Sequence, residues 1–129
     1  MSAPDATVLL VDDDDMVRLV TAMLLRRGGY EVVEAVNGHD AVARFEQDPD
    51  RFDAVLLDVM MPVMTGHEAF PRLRALDPEL PIVFFSGFDQ SEIAEHLSGA
   101  TAHTAFLPKP YDNDALYAAM ATAVRERSR

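Results

Sequence analysis

The chain has 129 residues, 49% of them apolar, no cysteine, and a net charge of −11 from 22 acidic and 11 basic residues. That length suits one domain with a real core. The absence of cysteine excludes disulfides and thiolate metal sites, and the acidic balance argues against a domain that grips nucleic acid by its phosphates. No stretch reaches membrane-spanning length and no basic-then-apolar leader opens the chain, so a cytoplasmic address and no membrane contact are expected.

Thr7–Val11 is a nearly continuous apolar run, the pattern of a strand covered on both faces. Four aspartates, Asp12 to Asp15, follow it directly. Asp15–Arg27 then reads as a helix: Val17, Val20 and Leu24 recur at helical spacing, Met16, Leu19 and Met23 widen the stripe, and Gly28-Gly29 stops it. Tyr30–Ala35 carries Glu31 and Glu34 and reads as a more exposed edge strand. Asn37–Gln47 opens on a capping-type asparagine, sets Ala41, Val42 and Phe45 on one side, and ends before Pro49. Phe52–Leu57 is the third strand, with Asp58 immediately after it.

Thr65–Leu76 places Ala69, Phe70, Leu73 and Leu76 at helical spacing, with Pro71 in mid-segment allowing a kink or a late start. Pro81–Phe85 is a fourth strand ended by Ser86, and Gln90–Leu97 a shorter helix. Thr104–Leu107 is a fifth strand followed by Lys109, and Asp112–Arg127 is a helix carrying Leu116, Met120 and Val124. Five alternations of strand and helix predict an α/β fold. The expectation is a flavodoxin-like doubly wound (βα)5 domain with a five-stranded parallel sheet in the order 2-1-3-4-5.

In such a sheet, ligands bind beyond the carboxyl ends of the strands where the winding reverses, here between strands 1 and 3. Asp12 and Asp13 follow strand 1 and Asp58 follows strand 3, so the three carboxylates should share a pocket. Neighbouring strands are about 4.8 Å apart, and like charges at that range repel by a few kcal/mol at an effective dielectric of about 20. A divalent cation would relieve that strain. Hard oxygen ligands, with no His or Cys at zinc spacing, favour Mg²⁺, with Mn²⁺ as a substitute. Ser86 adds a hydroxyl and Lys109 an ammonium from the ends of strands 4 and 5. A carboxylate nucleophile, a metal, a hydroxyl and an ammonium are the parts that stabilise a phosphoryl group in transfer.

With those residues in view, the chain resembles the receiver domain of two-component response regulators over essentially its whole length, 1–129. The matching stretches are Val8 to Asp14 with Arg18, Leu56 to Pro62 with Gly66, Pro81 to Gly87, and Phe106 to Pro110. The resemblance implies that Asp58 is the phosphoacceptor. It makes Asp12 and Asp13 the metal pair and the backbone carbonyl of Met60 a further ligand beside Asp58. Ser86 would be the switch hydroxyl, Lys109 the lysine that contacts the phosphoryl group, and Phe106 the switch aromatic. The implied partners are a histidine kinase or histidine phosphotransfer protein and an effector not readable from the chain, with homodimerisation open. The readout surface would comprise the helix at 90–97, the fifth strand and the last helix. Met60 and Phe88, both apolar, sit two residues beyond Asp58 and Ser86 and predict slow self-dephosphorylation. One departure is visible: Ala102-His103-Thr104-Ala105 precede Phe106 where relatives often have a Gly-Ala pair.

Three other functions suit the same fold. A magnesium-dependent phosphatase passing through an aspartyl phosphate often needs a second acid two positions after the nucleophile, where this chain has Met60. A flavin-binding module needs a first loop that welcomes phosphate, and four aspartates there would repel it. A binding scaffold that works without phosphorylation would not need a complete pocket. Whether the domain stands alone or belongs to a larger regulator or hybrid kinase is not written in these residues.

Overall fold

Apolar runs of five residues alternate with amphipathic segments, and the result is a parallel sheet covered by helices. A computed structural model describes residues 6–58, 66–86, 103–108 and 112–127. In chain order the elements are β1 (Thr7–Val11), α1 (Asp15–Arg27), β2 (Glu31–Ala35), α2 (Gly38–Gln47), a 3-10 turn (Pro49–Arg51), β3 (Ala54–Asp58), α3 (Gly66–Leu76), β4 (Ile82–Ser86), β5 (Thr104–Pro108) and α4 (Asn113–Arg127). The helix expected at Gln90–Leu97 lies outside the described residues. The strand order is 2-1-3-4-5 and every pairing is parallel, the doubly wound arrangement expected. No helix among the described residues is long and apolar enough to cross a membrane.

Strand alternation sends successive side chains to opposite faces, and both faces are covered. Leu9, Val11, Val55, Leu57, Ile82 and Phe84 point to one side, under Ala41, Val42 and Phe45 of α2 and Ala69, Phe70 and Leu73 of α3. Val8, Leu10, Leu56, Val83 and Phe85 point to the other, under Ala22 and Leu25 of α1 and Leu116, Met120 and Ala123 of α4. Each fully buried side chain of this kind stabilises the fold by about 1.5–3 kcal/mol. Aromatic pairs reinforce the first side, with ring centroids 5.6 Å apart for Phe45 and Phe52 and 5.4 Å for Phe70 and Phe84. β2 is an edge strand as its glutamates imply, exposed at Glu31 and buried only at Ala35.

Two helical faces differ from the periodicity reading. In α1 the buried residues are Thr21, Ala22 and Leu25. Met16, Leu19, Val20 and Met23, expected on the covered stripe, are 67%, 50%, 48% and 54% exposed. α1 is apolar on most of its circumference, so spacing alone could not choose the face; packing chose the side whose small Thr21 and Ala22 let the helix approach the sheet. Leu76, expected to pack, is 42% exposed at the end of α3. Pro71 lies within α3, which runs continuously from Gly66 to Leu76.

The α1 stop falls where the two glycines predict it. Gly29 has a φ of 97°, a left-handed conformation that suits glycine. Gly28 serves a different need: a Cβ there would lie 2.8 Å from the Tyr117 ring, and the Tyr117 hydroxyl donates to the Leu24 carbonyl at 2.7 Å. α4 is thereby latched to the end of α1. A second latch is Arg74. Its Nη1 reaches the carbonyls of Asp77, Pro78 and Leu80, its Nη2 that of His103, and its guanidinium lies 5.2 Å from the Phe70 ring centre. Partial burial lowers the Arg74 pKa, and Asp77 partly offsets this.

Candidate functional site

The sheet register brings the expected carboxylates together. Val11 pairs with Leu57, so the residues one step further, Asp12 and Asp58, leave adjacent strands side by side. One carboxylate oxygen from each of Asp12, Asp13 and Asp58 lies within 4.8 Å of the others. Asp12 and Asp58 are buried, at 1% and 5% exposure, whereas Asp13 is open to solvent. β3 runs one residue further than its apolar run suggests, with Asp58 opposite Phe85. The sheet ladder, rather than a loop, therefore holds the Asp58 backbone.

The four consecutive aspartates divide into different tasks. The Asp12 amide donates to Ala35 of β2 at 3.2 Å, and Asp12 Oδ1 accepts from the Asp14 amide at 2.9 Å. Asp14 caps α1, its Oδ1 accepting from the Met16 and Val17 amides at 3.0 and 3.1 Å. Asp15 lies in the first turn, where its charge suits the helix dipole, and accepts from Arg18 at 2.7 Å. Only Asp12 and Asp13 join Asp58 in the carboxylate group.

Arg18, and Glu34 through it, brace the Asp12 backbone, and the sequence reading assigned neither a role. Arg18 Nη1 donates to the Asp12 backbone carbonyl at 2.8 Å, and Nε to Glu34 at 3.2 Å. Arg26 reaches the other oxygen of Glu34 at 3.3 Å. The hydrogen bond to Asp15 is the largest influence raising the Arg18 pKa, with Glu34 adding and desolvation opposing. The Asp15–Arg18 spacing, three residues apart on a helix, was the available signal; the link to β2 was not.

Of the other expected site residues, Ser86 closes β4 opposite Pro108, and its side chain is not among those described. Lys109, Met60 and Phe88 lie outside the described residues. Phe106 sits on β5 opposite Phe84, partly buried against the cluster beneath α2 and α3.

The donor set fits a hard divalent cation. Three carboxylate oxygens within 4.8 Å concentrate negative charge, and the buried pair Asp12–Asp58 repels by about 3.5 kcal/mol at an effective dielectric of about 20. No imidazole or thiolate joins them in that group, and oxygen-only sites select Mg²⁺, Mn²⁺ or Ca²⁺ over zinc.

Known proteins share this architecture. The chain matches the family described as Response regulator receiver domain over residues 8–121. It is 39% identical to the sensor kinase CckA of Brucella abortus over 121 residues, which is 94% of this chain and 12% of that protein. Among solved structures, the Vibrio cholerae chemotaxis protein CheY4 superposes with a TM-score of 0.83 at 31% identity, covering 93% of this chain and 99% of that one. The receiver domain of the hybrid histidine kinase CckA superposes with a TM-score of 0.78 at 32% identity, covering 92% of this chain and 99% of that one. The chain spans 9% to 50% of the length of the first curated relatives it matches. Strand order, site geometry and sequence agree, and the chain belongs to the response regulator receiver domain family, the receiving module of two-component signal transduction.

Proposed function

We propose that Asp58 accepts a phosphoryl group from a phosphohistidine on a histidine kinase or histidine phosphotransfer protein in the cytoplasm, with Mg²⁺ held at the carboxylate group. The reading rests on the convergence of Asp12, Asp13 and Asp58 at the ends of two adjacent strands. An Asp58 carboxylate oxygen attacks phosphorus, a P–O bond forms as the donor P–N bond breaks, and the released electron pair returns to the imidazole. Asp12 and Asp13, together with the Met60 carbonyl by family resemblance, hold the cation. When bound, Mg²⁺ supplies positive charge for the phosphoryl oxygens. Lys109 and Ser86 take the remaining oxygens, again by resemblance.

The new group adds about 1.5–2 negative charges. Ser86 turns toward it and Phe106, half-buried at the edge of the core, moves inward; this biases an existing equilibrium. The altered surface comprises segment 90–97, β5 and α4. The unburied apolar stripe of Met16, Leu19, Val20 and Met23 on α1, the helix that begins beside Asp12 and Asp13, supports docking of an apolar helical donor there. Asp58 is modified once per signal and restored by hydrolysis, so the domain does not turn over a substrate. The acidic surface supports protein partners over direct contact with nucleic acid.

Intact-mass measurement after incubation with acetyl phosphate and Mg²⁺ tests the reading. One added phosphoryl group is expected, absent in Asp58→Ala and absent with EDTA. No adduct on the wild-type chain would refute it. Steady turnover of p-nitrophenyl phosphate would favour the phosphatase alternative.

A further inference from the structure

We infer that Arg18 is a positioning residue for the cation site: its guanidinium holds the Asp12–Asp13 loop in its cation-binding shape, while Asp15 and Glu34 hold it off the site's carboxylates. The inference rests on the reading of that site as a Mg²⁺ site. Arginine ordinarily engages carboxylates through its fork of donors, and Arg18 gives Nε to Glu34 at 3.2 Å and Nη2 to Asp15 at 2.7 Å, two acids outside the cation-site group. Its remaining arm, Nη1, goes to the Asp12 backbone carbonyl at 2.8 Å. Its side chain is only 13% exposed, so the guanidinium is boxed in rather than swinging in water.

The consequence for Asp12 is attachment to β2 on two sides. Its amide donates directly to Ala35, and its carbonyl is joined through Arg18 to Glu34, the residue before Ala35 in the same strand. Glu34 is itself fixed by Arg26 from the last turn of α1. Without this bracket, the mutual repulsion of Asp12, Asp13 and Asp58 would spread the loop between cation-binding events, and each event would have to gather it again. Preset ligands bind more tightly because that ordering has already been done.

Two opposite effects meet at Arg18, and their signs differ. A positive charge near a cation site weakens binding through Coulomb repulsion, so its removal should tighten Mg²⁺ binding if charge governs. Removal should loosen binding if positioning governs. Arg18→Met keeps the stem and removes the charge and the three donors together.

The experiment titrates MgCl2 against the full chain and follows the rise in melting temperature to obtain a Kd for wild type, Arg18→Met, Arg18→Lys and Arg44→Gln, with circular dichroism reporting the fold. Arg18→Met is expected to raise the Kd about 10-fold, the range typical of outer-shell partners. Arg44→Gln removes an equal charge from α2, where Arg44 pairs with Asp40 outside this bracket, and its Kd should stay the same or fall. An equal or lower Kd in Arg18→Met would overturn the inference. If Arg18→Met does not fold, Arg18→Lys decides, because it keeps the charge and cannot reproduce the planar fork that joins Asp12, Glu34 and Asp15. A raised Kd there that is absent in Arg44→Gln supports positioning, and an unchanged one overturns it. A wild-type chain indifferent to Mg²⁺ would instead remove the underlying reading of the site.

Discussion

Replacing Asp58 by asparagine should make the metal-free protein more stable, although it destroys the proposed phosphoacceptor. Asp12 and Asp58 are both buried, with oxygens within 4.8 Å. At an effective dielectric of about 20 that pair repels by about 3.5 kcal/mol. Asp13 is exposed and its share is discounted for solvent screening. Asparagine keeps the shape, removes the repulsion and loses about 1 kcal/mol of charge-assisted hydrogen bonding, leaving a net gain of about 2 kcal/mol. For a chain of 129 residues that corresponds to a rise in melting temperature of about 6–8 °C. The assay is thermal unfolding by circular dichroism at pH 7.5, in EDTA and in Mg²⁺. Wild type should gain about 2.7 kcal/mol at a Mg²⁺ concentration 100 times its Kd, and Asp58→Asn should gain much less. An Asp58→Asn variant that melts no higher than wild type in EDTA would refute the reasoning.

Three other outcomes are expected. Burial raises the Tyr30 pKa above its ordinary value, so the folded chain prefers the neutral phenol; this stability is complete below pH 10 and is lost as pH rises through the folded pKa. Tyr30→Phe should flatten that alkaline decline in urea titrations run at successive pH values. Arg74→Met should cost about 2–3 kcal/mol, because it strips donors from four backbone carbonyls around the start of β4, measurable as a lower urea midpoint at unchanged slope. Met60→Asn should shorten the lifetime of the Asp58 phosphoryl group several-fold, about 3–10 times, since an amide can orient the hydrolytic water where a thioether cannot; equal decay of the two proteins by mass spectrometry would remove that proposal.

Much of the fold was legible because buried parallel strands write themselves as unbroken apolar runs. β1, β3 and β4 were each placed to within two residues for this reason. Their ends were less legible: Asp58 and Ser86 belong to the ladder, since backbone pairing continues past the last apolar side chain. The covered face of α1 was not legible, because its apolar residues surround the helix. Asp12 and Asp13 were legible as the pocket pair from their place at the strand end, whereas the tasks of Asp14 as helix cap and Asp15 as ion-pair partner appear only in their hydrogen bonds.

The sequence by itself determined the alternation of strand and helix, and with it the sheet order and the strand ends at which Asp12, Asp13 and Asp58 stand. Those follow from local periodicity and from the few ways a right-handed parallel winding can close. The tertiary structure alone decided that Asp12 is buried while Asp13 faces solvent, which side of α1 is buried, and that Arg18 joins the Asp12 backbone carbonyl to the carboxylates of Asp15 and Glu34. Each of these depends on distances between segments far apart in the chain, such as Arg18 to Glu34, and a one-dimensional pattern carries no such distances.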